Sequence, residues 1–469
     1  MATRSPERVL VYGVAIAGAA VMRALVNRGF EVIAADDVVT PDKQQLCAEV
    51  GVELRAAPDA AAIDALVAWS DFVAPSPGVA ETHAVIRAAL AAGRPLRSEI
   101  DLAYGWEQHR AGGARPMLAV TGTDGKTTTT LLATEMLLAA GLNAVAVGNT
   151  EIPLVEVLAD DTIDAFVVEC SSFRLQWTTV FRAEAAVWLN LAPDHLNWHV
   201  DLDAYEAAKA RMWMFQRPTD TAVGFIDDPI VMARLADAPG RHVTFGLTSG
   251  DYRCASLPGV GGTLIGPQGA ICAVGDMRRA LPHDITNALA AAALVQASGL
   301  ADTAAIASAL RRFVGPAHRL ELVGEADGVR WYNDSKATTP HAALTAIRAF
   351  DSLVLIAGGK NKGLDLSELA SEPQRMRGVV AIGEAADLVA AVFDGVCPVR
   401  HAESMNAAIE AASTMALAGD AVVLSPACAS FDWYPQGPNG GYPARGADFR
   451  DRVIDHLARP GHSRVSVAS

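Results

Sequence analysis

Short apolar runs alternate with longer alanine-rich segments along the first hundred residues of the chain. The runs at 9–12, 31–35 and 71–74 are separated by segments with helical spacing of their apolar positions. Strands that alternate with helices in this way usually form a parallel sheet with helices packed on its faces. The pattern therefore predicts an α/β domain at the start of the chain.

The first apolar segment has two interpretations. Two arginines precede the apolar residues 9–22, which resembles the start of a signal peptide. A strand, a turn at 13–18 and a helix fit the same residues, and we favour them because a second strand-like run follows at βαβ spacing and ends in Asp36. No apolar stretch reaches the roughly 18 residues of a transmembrane helix, so we expect no transmembrane segment.

The alternation resumes after a glycine- and proline-containing segment at 111–116, which is typical of a linker. Residues 221–275 are rich in glycine and look less regular, and Gly315-Pro316 interrupts the pattern again. A chain of this length usually contains about three domains. Together with these breaks, the length predicts three domains, at 1–98, 99–315 and 316–469. The expected strands of the second and third domains lie at 117–120, 165–168, 185–190, 329–332, 352–356 and 421–424, and the expected helices at 129–140 and 287–300.

Composition narrows the class of protein. The 469 residues are 51% hydrophobic and 19% charged, as in a well-buried globular protein. The formal net charge of −15 comes without a local cluster of basic residues, which argues against nucleic acid as a partner. Six scattered cysteines without a C-x-x-C pair indicate reduced thiols in a cytosolic protein.

A glycine-rich turn follows the strand-like run at 117–120. Residues 121–128 read T-G-T-D-G-K-T-T and precede a helix-like segment. A strand, a turn of this kind and a helix N-terminus present backbone N–H groups to phosphate, while the lysine reaches the terminal phosphates and a hydroxyl ligates Mg²⁺. Val120 stands where the usual G-x-x-x-x-G-K-[ST] signature begins with glycine. An ordinary glycine turn is the alternative, and the flanking strand and helix favour a nucleotide triphosphate.

Polar side chains follow two later strand-like runs. Because ligands bind outside the carboxyl ends of parallel strands, we expect Glu169 and the Asp194-His195 pair near Lys126. Glu169 suits Mg²⁺, and the alternative is a capping or solvated glutamate. His195 can ligate a metal, hold an anion or cap backbone; with His199 it suggests a zinc pair, but no third ligand lies at a typical zinc spacing.

Three polar loops follow strand-like runs in the last third of the chain. They read N-D-S-K-A-T-T at 333–339, G-G-K-N-K-G at 358–363 and S-P-A-C-A-S-F-D at 425–432. Each could be a simple turn. Three of them in one domain favour a binding site at that sheet edge, with lysines able to meet a carboxylate.

Together these motifs resemble the Mur ligases, the ATP-dependent amide-forming enzymes of peptidoglycan synthesis. The resemblance extends over the whole chain, and residues 333–338, 424–430 and 442–446 are similar to the members that add D-glutamate to UDP-N-acetylmuramoyl-L-alanine. It implies an α/β fold with a Rossmann-like N-terminal domain for the UDP precursor, a central P-loop ATPase-type domain and a Rossmann-like C-terminal domain for the amino acid. It also implies an acyl-phosphate intermediate and a monomer in the cytoplasm.

Site residues follow from the resemblance by matching position. The implied ATP contacts are Gly122, Thr123, Asp124, Gly125, Lys126, Thr127, Thr128, Asn287, Arg319 and Asp334. The implied contacts to the UDP precursor are Ile16, Ala17, Asp36, Asp37, Ser76, Pro77, Gly78, Asn149 and His195. The implied D-glutamate contacts are Lys336, Thr338, Lys362, Ser430, Phe431 and Tyr442.

The resemblance also implies two Mg²⁺ sites. Thr127 and Glu169 match one, and His195 with a carbamylated Lys209 matches the other. From the residues alone Lys209 is a solvated charge on a predicted helix, and the resemblance replaces that interpretation. The implied catalytic residues are Lys126, Lys209, His195, Glu169 and Arg319, the last offsetting charge on the γ-phosphate.

Other functions remain as alternatives. Another Mur ligase or a folylpolyglutamate synthase would share the phosphate loop. An NAD-dependent oxidoreductase is suggested by the first turn and Asp36, but that turn lacks a complete G-x-G-x-x-G. A nucleotide-binding protein without catalysis is the remaining class, and the presence of Lys126, Glu169, Lys209 and His195 argues against it.

Overall fold

The computed structural model describes residues 6–150, 152–195, 198–257, 260–361, 363–435, 437, 440–459 and 466–467. The chain forms two compact units, Met1–Val314 and Gly315–Ser469. Both are built from helices and mainly parallel strands, which confirms the predicted α/β class. Within the described residues, no helix has the length and apolar character needed to cross a membrane.

The first part of the N-terminal unit is a small parallel sheet with its helices. Its elements are β1 (Arg8–Tyr12), α1 (Ile16–Asn27), β2 (Glu31–Asp36), α2 (Pro41–Val50), β3 (Glu53–Ala56), α3 (Ala60–Trp69), β4 (Phe72–Pro75), α4 (Ala84–Ala91) and α5 (Glu99–Glu107). The strands pair in the order β3-β2-β1-β4, all parallel. The strand predicted at the N-terminus is therefore confirmed, with α1 following it.

A larger parallel sheet forms the second part of this unit. Its elements are β5 (Met117–Thr121), α6 (Lys126–Ala139), β6 (Ala144–Gly148), α7 (Leu154–Val157), β7 (Ala165–Glu169), α8 (Ser172–Leu175), β8 (Ala185–Trp188), α9 (Leu202–Met214), β9 (Thr221–Phe225), α10 (Pro229–Ala236), β10 (Arg241–Phe245), β11 (Arg253–Leu257), β12 (Val260–Gly266), β13 (Gly269–Ala273), a 3-10 turn (Val274–Asp276), α11 (Pro282–Ala297) and α12 (Thr303–Arg312). Six strands pair in the order β10-β9-β8-β5-β7-β6, and β11-β12-β13 form a separate antiparallel sheet.

Two sequence interpretations need correction in this part. Residues 221–275 were expected to be less regular, yet they contain the five strands β9 to β13. Some of their glycines mark turns between short strands, as at Gly269, whose φ of 106° suits glycine at the β12–β13 turn. Helix α11 begins at Pro282, earlier than predicted, because proline fits the first helical turn and Asp284 accepts a hydrogen bond from Leu281 N at 3.3 Å.

The C-terminal unit has one seven-stranded sheet. Its elements are β14 (Glu321–Ala326), β15 (Val329–Asn333), α13 (Pro340–Arg348), β16 (Leu353–Gly358), two 3-10 turns (Ser367–Ala370 and Pro373–Arg375), β17 (Met376–Ile382), α14 (Ala386–Val392), β18 (Val399–Ala402), α15 (Met405–Met415), β19 (Ala421–Ala427), α16 (Gly441–Leu457) and β20 (Ser466–Val467). The order is β18-β17-β16-β19-β15-β14-β20, with β14 and β20 antiparallel and the other neighbours parallel.

The buried core of the N-terminal unit continues from the first sheet to the second. Val11, Ile100 and Phe166 belong to one cluster of buried apolar side chains. The predicted boundary between residues 98 and 99 falls beside this cluster, and the predicted boundary between 315 and 316 falls next to the start of the C-terminal unit at Gly315. The three predicted domain spans stay predictions.

Candidate active site

The central sheet places three chemically distinct segments at one edge. β5 lies between β8 and β7 and runs parallel to both. The segments that leave these strands therefore emerge side by side, as the positions of ligands in open α/β sheets require. They carry the glycine-rich turn, Glu169 and the segment 190–195.

The turn after β5 is shaped by its glycines. Gly125 has φ 82° and precedes Lys126, the first residue of α6; a Cβ at Gly125 would lie 2.5 Å from Asn287 Oδ1. Lys126 Nζ lies 2.8 Å from Gly122 O and 2.6 Å from Thr123 O. Val120 is a fully buried residue of β5, so the position at which the usual signature has its first glycine lies in the strand here, before the turn begins. A compact turn and a helix N-terminus suit an anionic phosphate.

Glu169 is buried at the end of β7. Its side chain accepts a hydrogen bond from Asn149 Nδ2 on Oε1 at 2.9 Å, and only 2% of the residue is exposed. Among the described residues, Oε2 has no hydrogen-bond partner. A buried carboxylate oxygen without a partner is costly unless a cation meets it. The geometry therefore goes against a solvated or helix-capping glutamate.

Lys209 is buried against the glycine-rich turn. It is 1% exposed, its Nζ donates to Gly122 O at 2.6 Å, and Nζ lies 4.6 Å from the centroid of the Tyr205 ring. Burial, together with the nearby charge of Lys126, lowers the pKa of Lys209 well below its ordinary value. The interpretation of Lys209 as a solvated surface charge is thus wrong, because α9 turns this residue toward the sheet.

His195 lies in the segment after β8 and has a left-handed backbone, with φ 57°. Its N–H donates to Asp194 Oδ1 at 2.7 Å, and its ring packs against Phe173 with the centroids 4.6 Å apart. Burial lowers the pKa of His195, partly offset by the Asp194 carboxylate. This favours the neutral imidazole, which can act as a ligand.

His199 has a different environment from His195. It is buried, and its Nε2 lies 2.9 Å from Ser172 Oγ. In the part of the chain that the structure describes, no three His, Cys, Asp or Glu side chains are grouped to hold a metal ion.

Most of the residues expected to contact the UDP precursor lie at the carboxyl edge of the first sheet, whereas Asn149 and His195 follow β6 and β8 of the second sheet. Ser76, after β4, donates its hydroxyl to Gly13 O at 2.8 Å, and Pro77 O accepts from Trp198 Nε1 at 2.9 Å. Ile16, at the start of α1, is 70% exposed. The same edge also carries Ala17, Asp36, Asp37 and Gly78.

Both aspartates at this edge bind other parts of the protein. Asp36 Oδ2 accepts from Val14 N at 2.6 Å and Lys43 Nζ at 2.7 Å. Burial opposes ionisation of Asp36, but these bonds outweigh it and hold its pKa below the ordinary value. Asp37 accepts from the Tyr12 hydroxyl at 2.6 Å and lies 3.0 Å from His83 Nε2. Both carboxylates thus lie at this edge of the sheet and bind the segments that form it.

The C-terminal sheet also brings its polar loops to one edge. β16, β19 and β15 are neighbours and parallel. Asp334 accepts from Ser425 Oγ at 2.7 Å and from Leu320 N at 3.1 Å, which joins the first loop to the third.

The residues expected to contact D-glutamate lie around these loops. Lys336 Nζ is 5.5 Å from the ring centroid of Tyr442, Ser430 is buried and Phe431 is partly exposed. Thr338 is half-buried just before α13. Lys362 lies outside the described residues.

Comparison with known proteins assigns the chain to a family. Two family models match, the Mur ligase middle domain at residues 120–295 and the Mur ligase glutamate ligase domain at residues 318–428. The UDP-N-acetylmuramoylalanine–D-glutamate ligase of Frankia casuarinae is 42% identical over 453 residues, which cover 95% of this chain and 93% of that protein. The chain belongs to the Mur ligase family.

Further relatives carry the same name. The protein from Pelotomaculum thermopropionicum is 38% identical to this Mur ligase, and the matched region covers 96% of this chain and 97% of that protein. Solved structures agree in fold: UDP-N-acetylmuramate–alanine ligase from Thermotoga maritima has a TM-score of 0.57 at 17% identity, covering 96% of this chain and 99% of its own. A pseudomurein peptide ligase type C from Methanothermus fervidus has a TM-score of 0.58 at 15% identity, covering 96% and 100%.

Two residues of the Mur ligase site escaped the sequence interpretation. Asn190 Oδ1 accepts hydrogen bonds from Thr123 N at 3.0 Å and Asp124 N at 2.9 Å. The Tyr205 hydroxyl lies 3.2 Å from Thr123 Oγ1. Asn190 could have been identified from its position just past β8. Tyr205 could have been identified because it lies four residues before Lys209, on the same face of the predicted helix.

Proposed function

We propose that this Mur ligase joins D-glutamate to UDP-N-acetylmuramoyl-L-alanine with ATP, in the synthesis of the peptidoglycan precursor. The observation that carries the proposal is similarity along nearly the whole chain to proteins named for that activity, at 42% identity over 95% of the chain for the Frankia casuarinae protein. Another Mur ligase or a folylpolyglutamate synthase would share the phosphate loop, but no observation favours either.

The chemistry begins with a poor electrophile, since a carboxylate does not react with an amine at useful rates. An oxygen of the L-alanyl carboxylate attacks the γ-phosphorus of ATP, the bond from that phosphorus to the β–γ bridging oxygen breaks, and ADP leaves. The amine of D-glutamate then attacks the acyl carbon and loses a proton as inorganic phosphate departs. The product is an amide, and the protein's part is to position the groups and offset charge.

The glycine-rich turn supports a phosphate-binding role. Backbone N–H groups at the start of α6 and the ammonium of Lys126 are proposed to hold the ATP phosphates. The other proposed ATP contacts are Gly122, Thr123, Asp124, Gly125, Thr127, Thr128, Asn287, Arg319 and Asp334.

The residues present fit a divalent cation. Glu169 Oε2, buried and without a partner among the described residues, is the kind of hard oxygen that Mg²⁺ prefers. We propose Thr127 and Glu169 for one Mg²⁺, and His195 with a carbamylated Lys209 for a second. When bound, Mg²⁺ offsets negative charge on the phosphoryl group that is transferred.

Lys209 fits carbamylation because its amine is buried and its pKa is lowered. Only the neutral amine can add to CO₂, and loss of a proton then gives a carbamate anion. Tyr205 and the Gly122 carbonyl hold the amine in place. The proposed modification would turn a buried cation into an anionic oxygen ligand.

The substrate contacts remain proposals. The precursor is proposed to use Ile16, Ala17, Asp36, Asp37, Ser76, Pro77, Gly78, Asn149 and His195, and D-glutamate Lys336, Thr338, Lys362, Ser430, Phe431 and Tyr442. We also propose that the protein acts as a monomer in the cytoplasm, with three domains at 1–98, 99–315 and 316–469.

The test is the release of inorganic phosphate by the purified chain. It is expected only when ATP, Mg²⁺, UDP-N-acetylmuramoyl-L-alanine and D-glutamate are all present, with the amide product identified by mass spectrometry. Controls omit each component in turn, replace D-glutamate with L-glutamate, or replace the acceptor with a folate. Equal turnover with L-glutamate or with a folate acceptor would overturn the assignment.

A further inference from the structure

Arg445 is a buried cation that the proposed chemistry does not use. It lies in the second turn of α16 and is 1% exposed. Within the described residues it forms no ion pair, and its four hydrogen bonds go to uncharged oxygens. Burying a guanidinium without a carboxylate is costly, so its retention in the core calls for a function.

The hydrogen bonds of Arg445 join two of the polar loops. Its Nε donates to Ser335 Oγ at 3.0 Å and its Nη2 to Ser335 O at 2.8 Å, in the loop after β15. Nη1 and Nη2 each lie 3.2 Å from Cys428 O, just past β19. The planar guanidinium presents its donors in a fixed fork and serves both loops at once, whereas a lysine ammonium is a single point on a flexible side chain.

The third loop passes directly against the same group. Gly359 follows β16 and has φ 124°, and a Cβ there would lie 3.2 Å from Arg445 Nη1 and 2.3 Å from Ala429 O. The backbone at this point can approach only because the residue is glycine. Arg445 is therefore at the meeting point of all three strand-exit loops.

The proposed D-glutamate contacts are direct neighbours of these tied groups. Lys336 follows Ser335, and Ser430 lies two residues after Cys428. Tyr442 is one turn before Arg445 on α16, and its carbonyl accepts from Ser335 Oγ at 2.8 Å. We propose that Arg445 is a positioning residue that sets the affinity for D-glutamate by fixing the segments that carry Lys336, Ser430 and Tyr442. This inference rests on the proposed function.

The charge of Arg445 adds to its geometry. Burial lowers its pKa to about 10, so the group stays protonated at neutral pH. The carboxylates that influence it are those of Asp432 and Asp334, whose oxygens accept hydrogen bonds from Glu384 N at 3.0 Å and from Ser425 Oγ at 2.7 Å, respectively. Since no described residue forms an ion pair with it, this positive charge favours a ligand with two carboxylates, such as D-glutamate.

The experiment compares Arg445→Lys and Arg445→Met in the full chain by steady-state phosphate release. We expect KM for D-glutamate to rise about tenfold in Arg445→Lys, which keeps the charge, and about a hundredfold in Arg445→Met, which loses charge and hydrogen bonds. For the lysine variant, kcat should stay within about threefold of wild type. KM for ATP should change less than KM for D-glutamate, because Asp334, the proposed ATP contact next to Ser335, keeps its bonds from Ser425 Oγ at 2.7 Å and Leu320 N at 3.1 Å. Arg452→Met, which removes a partly exposed arginine of the same helix, is the matched control and should leave KM for D-glutamate unchanged.

The outcomes separate the two proposals. If the wild-type chain shows no D-glutamate-dependent phosphate release, the proposed function fails. If it does, and folded Arg445→Lys has the wild-type KM for D-glutamate, the positioning role is wrong. A lower kcat together with an equal rise in KM for all three substrates would also overturn it, because that pattern is expected if the arginine has a purely structural role. Thermal melting of each variant establishes that it is folded.

Discussion

Replacing Asn190 with alanine tests how the glycine-rich turn is held. The substitution removes the Oδ1 atom that accepts from Thr123 N at 3.0 Å and Asp124 N at 2.9 Å. It also removes the Nδ2 group, which donates to Asp124 O at 3.3 Å. The backbone carbonyl of residue 190 still accepts from Thr123 N at 3.1 Å, so we expect the turn to loosen while the sheet stays folded.

The size of the effect follows from the two short bonds to backbone N–H groups. A hydrogen bond contributes about 1 kcal/mol net, so the pair is worth about 2 kcal/mol, or about thirtyfold in an equilibrium constant. If the turn must adopt its present shape to hold phosphate, that free energy is taken from ATP binding. We therefore expect kcat/KM for ATP to fall about thirtyfold.

The assay is phosphate release over a range of ATP concentrations, with saturating UDP-N-acetylmuramoyl-L-alanine and D-glutamate. Calorimetric titration of ADP gives an independent value for nucleotide affinity. Asn143→Ala is the matched control, because Asn143 is exposed and its amide donates to Thr162 O at 2.8 Å, before β6. A folded Asn190→Ala variant with wild-type kcat/KM and ADP affinity would refute the reasoning.

Two other outcomes follow from the site. Lys209→Ala should lose most of the activity. Added short-chain carboxylic acids should restore part of it, because they supply the missing carboxylate. A folded variant that these acids do not rescue would count against the carbamate. The pKa of Asp36 is held low in the native state, so its stabilising contribution is present above the unfolded pKa of about 4 and is lost as pH falls through the native pKa. Lys43→Met removes one donor to Asp36 and raises that native pKa, so acid unfolding followed by circular dichroism should begin at a higher pH; superimposable curves for the two proteins would contradict this.

Local sequence patterns predict the parallel sheets and the glycine-rich turn after β5 well. The turn could be recognised because its glycines, lysine and flanking strand lie within a dozen positions of one another, and each has a local physical role. The strands β9 to β13 were harder to find, because they are short and several of their glycines fall within the strands, as in Gly261-Gly262, so that the apolar alternation was too brief to detect.

Residue environments created by distant segments could not be predicted in the same way. Lys209 is buried because α9 packs its face against the sheet and Gly122 lies opposite, and neither fact is encoded near residue 209. Asn190 supports the turn only because β8 pairs with β5. The expected role of Asp36 as a precursor contact stays a prediction, and the bonds of its carboxylate to Lys43 and Val14 are visible only in the structure. The resemblance to a family supplied roles for Lys209 and Asp36 that the residues alone did not.

The central position of β5 has a consequence for the order in which the chain folds. β5 is synthesised before both of its neighbours, β7 and β8. The turn that follows β5 therefore has complete surroundings only after these later strands have been made. Pairing between segments distant in sequence is slow to form. A nucleotide that binds only the finished turn stabilises the completed sheet by mass action. In a growing chain, the onset of nucleotide affinity would therefore report that β8 has taken its place.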